Sequence, residues 1–226
     1  MGLHETLKTM IRTENRFLFA ALWCFNHLPF NNRFRLHGNR LNCRGALLRG
    51  TRITVTGKNN RITIGKGSRL FGCKLLITGD NNTIELGEFD SCISLDLFTE
   101  DNGNRIQCGR HINFAGAIHI ASIEGCTISI GDDCLFSSQV VIRNGDSHSV
   151  LDSDGNRINP SKDVVIGDHV WVGYRALLNK GVRIPPNSIV GTGAVVTKPF
   201  TEPNVAIAGN PARIVKENVT WQNERI

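Results

Sequence analysis

From Ile64 onward apolar residues recur every six positions, and whole rows recur every 22. The rows read Ile64–Leu70–Leu76, Leu86–Cys92–Phe98, Cys108–Phe114–Ile120 and Ile130–Phe136–Ile142. Glycine follows the first member of each row (Gly65, Gly87, Gly109, Gly131), and an isoleucine stands two residues before it (Ile62, Ile84, Ile106, Ile128). Beyond a gap the rhythm tightens to a pure hexad: Ile166, Val172, Leu178, Ile184, Val190 and Val196. Small or β-branched residues (Val164, Val170, Ala176, Val182, Ser188, Ala194) precede these by two.

Helices favour a period of 3.6 and two-sided strands a period of 2, so a strict six fits neither. It predicts an all-β solenoid of short strands, each with an inward aliphatic and a turn after it, three to a triangular coil. Gly or Asn at the corner would supply the left-handed backbone of a sharp bend. Coils stacked at about 4.8 Å pair their backbones and bury each other's aliphatics. The first four coils carry four extra residues at their third corner: 78–81, 100–103, 123–126 and 144–147.

Residues 1–36 stand outside the repeat. Leu7, Ile11 and Leu18 with Lys8, Arg12 and Arg16 predict an amphipathic helix, followed by apolar Phe17–Phe25 and a turn at Pro29–Asn32. It either caps the solenoid, whose end exposes unpaired strand edges, or lies on a membrane surface. Residues 37–58 read as a degenerate first coil, so the expected divisions are 1–36, a solenoid over 37–216, and a tail over 217–226.

Composition narrows the class. With 226 residues, 40% of them hydrophobic, the chain is neither disordered nor collagenous. No apolar run approaches the roughly 20 residues of a spanning helix, and no small-residue cleavage site follows Phe17–Phe25. The expectation is a cytoplasmic protein, peripheral at the inner face of the membrane if the basic N-terminal region makes contact. Twelve Lys or Arg and no Asp or Glu lie between Asn15 and Gly79, against a whole-chain net charge of +6. Such a block suggests an anionic partner, but it lacks the interleaved aromatics of nucleic-acid binders, so none is expected. Seven cysteines without a CxxC pair point to packing in a reducing compartment.

The hexads, ending in Ile166-Gly-Asp-His-Val-Trp-Val-Gly173 and Ala208-Gly-Asn-Pro-Ala-Arg213, resemble the hexapeptide-repeat acyltransferases, in particular bacterial polysaccharide and sugar O-acetyltransferases. The resemblance covers roughly residues 59–216. It implies a left-handed parallel β-helix, a homotrimer with acetyl-CoA as co-substrate between neighbouring solenoids, and no metal. The 22-residue coils depart from the family's commoner 18.

Between Ile142 and Ile166 an eighteen-residue insertion interrupts the hexads, giving a polar loop at about 144–163. Such loops on a regular scaffold are often functional. Near its start lies His148, with Asp146 close by. Histidine titrates near neutrality and suits proton removal from a sugar hydroxyl, and a neighbouring carboxylate or a backbone carbonyl could fix its tautomer. By resemblance His148 is the general base ahead of the Trp-bearing hexad, and Trp171, projecting outward, meets the pantetheine or the sugar. Tyr174 occupies the position whose backbone N–H faces the thioester oxygen, although the family often has a small residue there. Thr192, Thr197, Lys198, Arg213 and Lys216 are the coenzyme A candidates. His111, His119 and His169 compete with His148.

Three readings stay open: O-acetyl transfer to a saccharide hydroxyl, N-acyl transfer to an amino-sugar nucleotide, and a non-catalytic glycan-binding scaffold. No activated Ser or Cys nucleophile is recognisable, which favours direct transfer.

Overall fold

A computed structural model describes residues 3–224, with the side chains of residues 3–5 and of Leu7 outside the described set. Two helices, α1 (Leu3–Arg12) and α2 (Arg16–Asn26), precede a parallel β-solenoid. The expected single helix breaks at Glu14, whose φ is +52°. Asn15 then caps α2, its side chain accepting the Leu18 N–H at 3.0 Å.

Three sheets of eight, seven and nine strands form the sides of the prism. The first sheet runs from Arg33–Arg35 to Val195–Val196, the second from Arg40–Asn42 to Arg183–Ile184. The third runs from Leu47–Arg49 through Trp171–Val172 to Ala206–Gly209 and ends on the antiparallel Ala212–Lys216. Neighbours within a sheet are one coil apart in sequence: Ile62 pairs with Ile84, Ile84 with Ile106, and Ile106 with Ile128. The 22-residue period is therefore the pairing register itself. Arg33–Arg35 already pairs with Arg52–Thr56, so the solenoid starts four residues before the expected boundary at 37. Asn31 and Asn32 draw the chain in by donating to the Leu48 carbonyl, each at 3.0 Å.

The bore is filled by the expected aliphatics, with two exceptions. Leu76 and Phe98 are only half-buried, while Leu75, Ile77, Leu97 and Thr99 are inside. From Leu70 the inward step is five residues, to Leu75, whereas from Phe114 it is six, to Ile120. A one-residue slip in a strand exchanges its faces. The early first-sheet strands are also five residues long, with two inward positions each.

The glycines after the inward aliphatics serve a different purpose from the one expected. Left-handed φ falls two residues later, on Gly67, Phe89, His111, Asp133 and His169. Gly65 and Gly87 are needed because the coils stack too closely: a Cβ on Gly87 would overlap the Gly109 carbonyl. At the widened corner Asn60, Asn82 and Asn104 are buried one above another; Asn60 Oδ1 accepts the Asn82 N–H and Asn82 Oδ1 the Asn104 N–H, both at 2.8 Å. The residue that follows the extra four at these corners thus satisfies the backbone's hydrogen bonding there.

The N-terminal end is closed by α2. Phe19 is buried against Gly45, and Asn26 mimics a strand along the edge of Leu47–Arg49: its Nδ2 donates to the Ala46 carbonyl and its Oδ1 accepts the Leu48 N–H, both at 2.9 Å. This is the capping role. At the other end the tail is not loose, since Val219 N–H donates to the Asn204 carbonyl at 2.9 Å.

Candidate active site

The loop at 144–163 leaves the corner between the first and second sheets and is tied down at its base. Asn159 donates through Nδ2 to Asp146 Oδ2 and to the His148 carbonyl, both at 2.8 Å. Lys180, one coil further on, forms an ion pair with Asp146 and donates to the Asn159 carbonyl at 3.0 Å. Glu124, one coil before, accepts from Arg157 at 2.6 Å and from the Ser161 N–H at 3.1 Å. The Arg157 guanidinium and the Lys180 ammonium hold the Glu124 and Asp146 carboxyls, respectively, below the usual carboxylate range. Among the described residues no hydrogen bond joins Asp146 to the imidazole, the pairing its proximity in sequence suggested; its Oδ2 meets Lys180 and Asn159 instead. A cation three strands away competes better for it. Asn159, Lys180 and Glu124 were not recognised from sequence, because the contacts that unite them cross coils.

His148 is exposed, and its ring has no hydrogen-bond partner among the described residues. The other placed imidazoles are all engaged. Nδ1 of His119 meets Asp96 at 3.0 Å, that of His111 meets Asp133 at 3.2 Å, and that of His169 meets Asn187 at 3.2 Å. His27 and His37 contact backbone carbonyls. Among the described histidines, His148 alone has both ring nitrogens available.

Trp171 lies on the third sheet and projects outward, its alternate Val172 being buried. Its indole N–H reaches Ser137 Oγ at 3.3 Å. Trp221 from the tail lies beside it at 6.3 Å, stacked on His169 at 4.5 Å and donating to the His169 carbonyl at 2.8 Å. Trp221 and His169 help line a groove of about 440 Å³. Nothing in the periodicity reveals Trp221, since it falls outside the repeat. Tyr174 sits where the third sheet turns into the first. Its hydroxyl donates to Gln139 at 3.1 Å, its carbonyl accepts the Gly193 N–H at 2.8 Å, and its own N–H has no acceptor among the described residues.

The coenzyme A candidates divide into two groups. Thr192 lies one coil beyond Tyr174, its N–H close against Gly173. Thr197 and Lys198 follow the last first-sheet strand, hence lie on the corner that carries His148, and Lys198 shares a groove of about 330 Å³ with Arg213. Lys216 is opposite Ala206 at the end of the final strand. One chain thus carries Trp171, Tyr174 and Thr192 on one side of the prism and His148, Thr197 and Lys198 at another corner.

Comparison with known proteins identifies the fold and the family. The family model described as the hexapeptide repeat of succinyl-transferase matches residues 163–198. The polysialic acid O-acetyltransferase of Escherichia coli O1:K1 is 32% identical over 114 residues, covering 50% of this chain and 36% of the relative. That of Neisseria meningitidis is 39% identical over 107 residues, covering 47% of this chain and 49% of the relative. The chain therefore matches half or less of the length of these curated relatives. The crystal structure of the polysialic acid O-acetyltransferase OatWY superposes with a TM-score of 0.72 at 33% identity, covering 86% of this chain and 92% of that one. The solenoid is the left-handed parallel β-helix of that fold. The chain belongs to the hexapeptide-repeat acyltransferases and, within them, resembles the bacterial polysaccharide O-acetyltransferases.

Proposed function

We propose that this chain transfers an acetyl group from acetyl-CoA to a saccharide hydroxyl, with an anionic surface polysaccharide or its precursor as acceptor. Its likeness to polysialic acid O-acetyltransferases supports the reaction class. The observation that carries the residue assignment is the unengaged imidazole of His148 on an anchored loop. In this reading His148 takes the hydroxyl proton as the oxygen attacks the thioester carbonyl. The Tyr174 N–H faces the developing oxyanion, the C–S bond breaks, and the coenzyme A thiolate leaves and recovers the proton. Trp171 packs on the thioester arm or the sugar, while Thr192, Thr197, Lys198, Arg213 and Lys216 contact the coenzyme. Asp146 acts indirectly, by fixing the loop through Lys180.

Because His148 and Trp171 belong to different sides of the prism, a thioester touching both lies between two copies. This supports a homotrimer with three shared sites. The seven free cysteines, five of them buried, support a reducing compartment such as the cytoplasm.

The test is thiol release from acetyl-CoA by the purified chain with an oligosialic acid, a neutral galactoside and an amino sugar as acceptors. Turnover on a hydroxyl acceptor, falling at least ~100-fold in His148→Ala, is the expected result. Unchanged turnover in the variant, or transfer to the amine alone, overturns the reading.

A further inference from the structure

The end of the molecule capped by α2 presents a surface that the catalytic reading does not use. Phe17 is 86% exposed, Trp23 60% and Phe30 100%, with Leu28 beside them. Phe17 lies on the face of α2 opposite Phe19 and Asn26, Trp23 on the flank of the helix, and Leu28 and Phe30 in the turn after it. From Phe17 to Asn32 no Asp, Glu, Lys or Arg interrupts the segment. Large exposed apolar side chains concentrated at one end of a scaffold mark a contact.

The surroundings state which contact. Trp23 stacks on His27 at 4.4 Å, and His27 meets Phe34 edge-on at 5.7 Å, joining the apolar face to the first strand. There Arg33 and Arg35 flank Phe34 and are exposed. Neither has an anionic partner among the described residues, and Arg33 pairs across the sheet with Arg52. Arg16 and Arg44 lie on the same cap, with the Arg44 guanidinium 5.5 Å from the Phe19 ring centroid. The acidic Glu14 is already paired with Lys66 at 3.1 Å. Like charges across adjacent strands repel, so an external anion would stabilise this rim. Aromatic side chains bordered by unpaired arginines match the boundary between acyl chains and anionic headgroups. With 11 residues α2 is too short to cross a bilayer, so it would lie in the interface.

We propose that Phe17, Trp23, Leu28 and Phe30, with Arg33 and Arg35 beside them, dock the N-terminal end of the solenoid onto an anionic lipid bilayer. The surface involves no residue of the proposed acetyl-transfer site, and the two readings stand or fall separately. The amphipathic stripe of Ile11 and Leu18, which made the N-terminal segment look membrane-active in the sequence, instead lines a groove with Leu47 and Phe89.

The experiment is co-sedimentation of the full chain with vesicles of phosphatidylcholine alone or with one quarter phosphatidylglycerol. Binding to the anionic vesicles, reduced several-fold between 50 and 500 mM salt and at least tenfold in Phe17→Ser/Trp23→Ser/Phe30→Ser, is the expected result. The single variant Phe30→Ser, at a fully exposed position, guards against misfolding and should lose part of the binding. Failure of the wild type to sediment overturns the proposal, as does equal binding by the triple variant. A larger hydrodynamic mass for wild type than for the triple variant also overturns it, by assigning the face to self-association. Acetyl transfer to a soluble acceptor should be unchanged in these variants.

Discussion

Asp146 gives its carboxylate to Lys180, one coil further on, and not to His148 two residues away in sequence. The loop is thereby fastened at its base while the imidazole it carries stays free. Lys180→Met should loosen the loop and lower kcat/KM about tenfold or more, by misplacing the proposed base His148. The salt link holds the Asp146 carboxyl below the usual carboxylate range, so its contribution to stability is present above that range and lost as pH falls through the depressed value. The small stability difference between wild type and Lys180→Met should therefore shrink in acid, as thermal melts at pH 7 and pH 3 would record.

The split between the side of the prism carrying Trp171 and the corner carrying His148 gives a test that needs no structure of a complex. Mixed and reassembled with Trp171→Ala, the His148→Ala chain should regain activity, to about a quarter of wild type if subunits combine at random in a cyclic trimer. A site confined to one chain would give no recovery.

Asp90 is fully enclosed in the bore; its Oδ1 accepts the Ile112 N–H at 2.8 Å, and its Oδ2 has no partner. Burial raises its carboxyl to about 7. The folded state thus keeps a proton that the unfolded chain releases near pH 4, and stability drops as pH rises from about 4 to 7. Asp90→Asn should stabilise the protein by about 1–3 kcal/mol at pH 8 and by little at pH 4. Denaturant midpoints at the two values would show the difference.

Gly87→Ala should be among the most damaging single-methyl changes in the chain. Its φ is not left-handed, so backbone freedom is not the issue; the new Cβ would overlap the Gly109 carbonyl. A loss of about 2–4 kcal/mol is expected, in line with overpacking and strain. Gly103→Ala meets no neighbour and should cost less, through its left-handed φ of +74° alone.

Burial of Cys73, Cys92, Cys108 and Cys134 pushes their thiols up, to about 11 for Cys73 and about 12 for Cys134. A maleimide reagent at pH 7.5 should therefore label exposed Cys24 rapidly and these four only on unfolding. Labelling counted by mass spectrometry checks this.

Step lengths of 22 and six were enough to read three strands per coil, the identity of most inward side chains and the polar loop, because each follows from one repeated backbone geometry. Periodicity failed at Leu76 and Phe98, where a corner one residue shorter exchanges the faces of a strand, and it misassigned the role of Gly87, whose constraint comes from the next coil. The partnership of Asp146 with Lys180, the anchoring by Asn159 and Glu124, and the stacking of Trp221 on His169 bring together residues 13 to 52 positions apart. Such contacts depend on how the loop folds back on itself and on which residues end up one coil above or below each other. Stacking decides that, and no local rhythm in the chain encodes it.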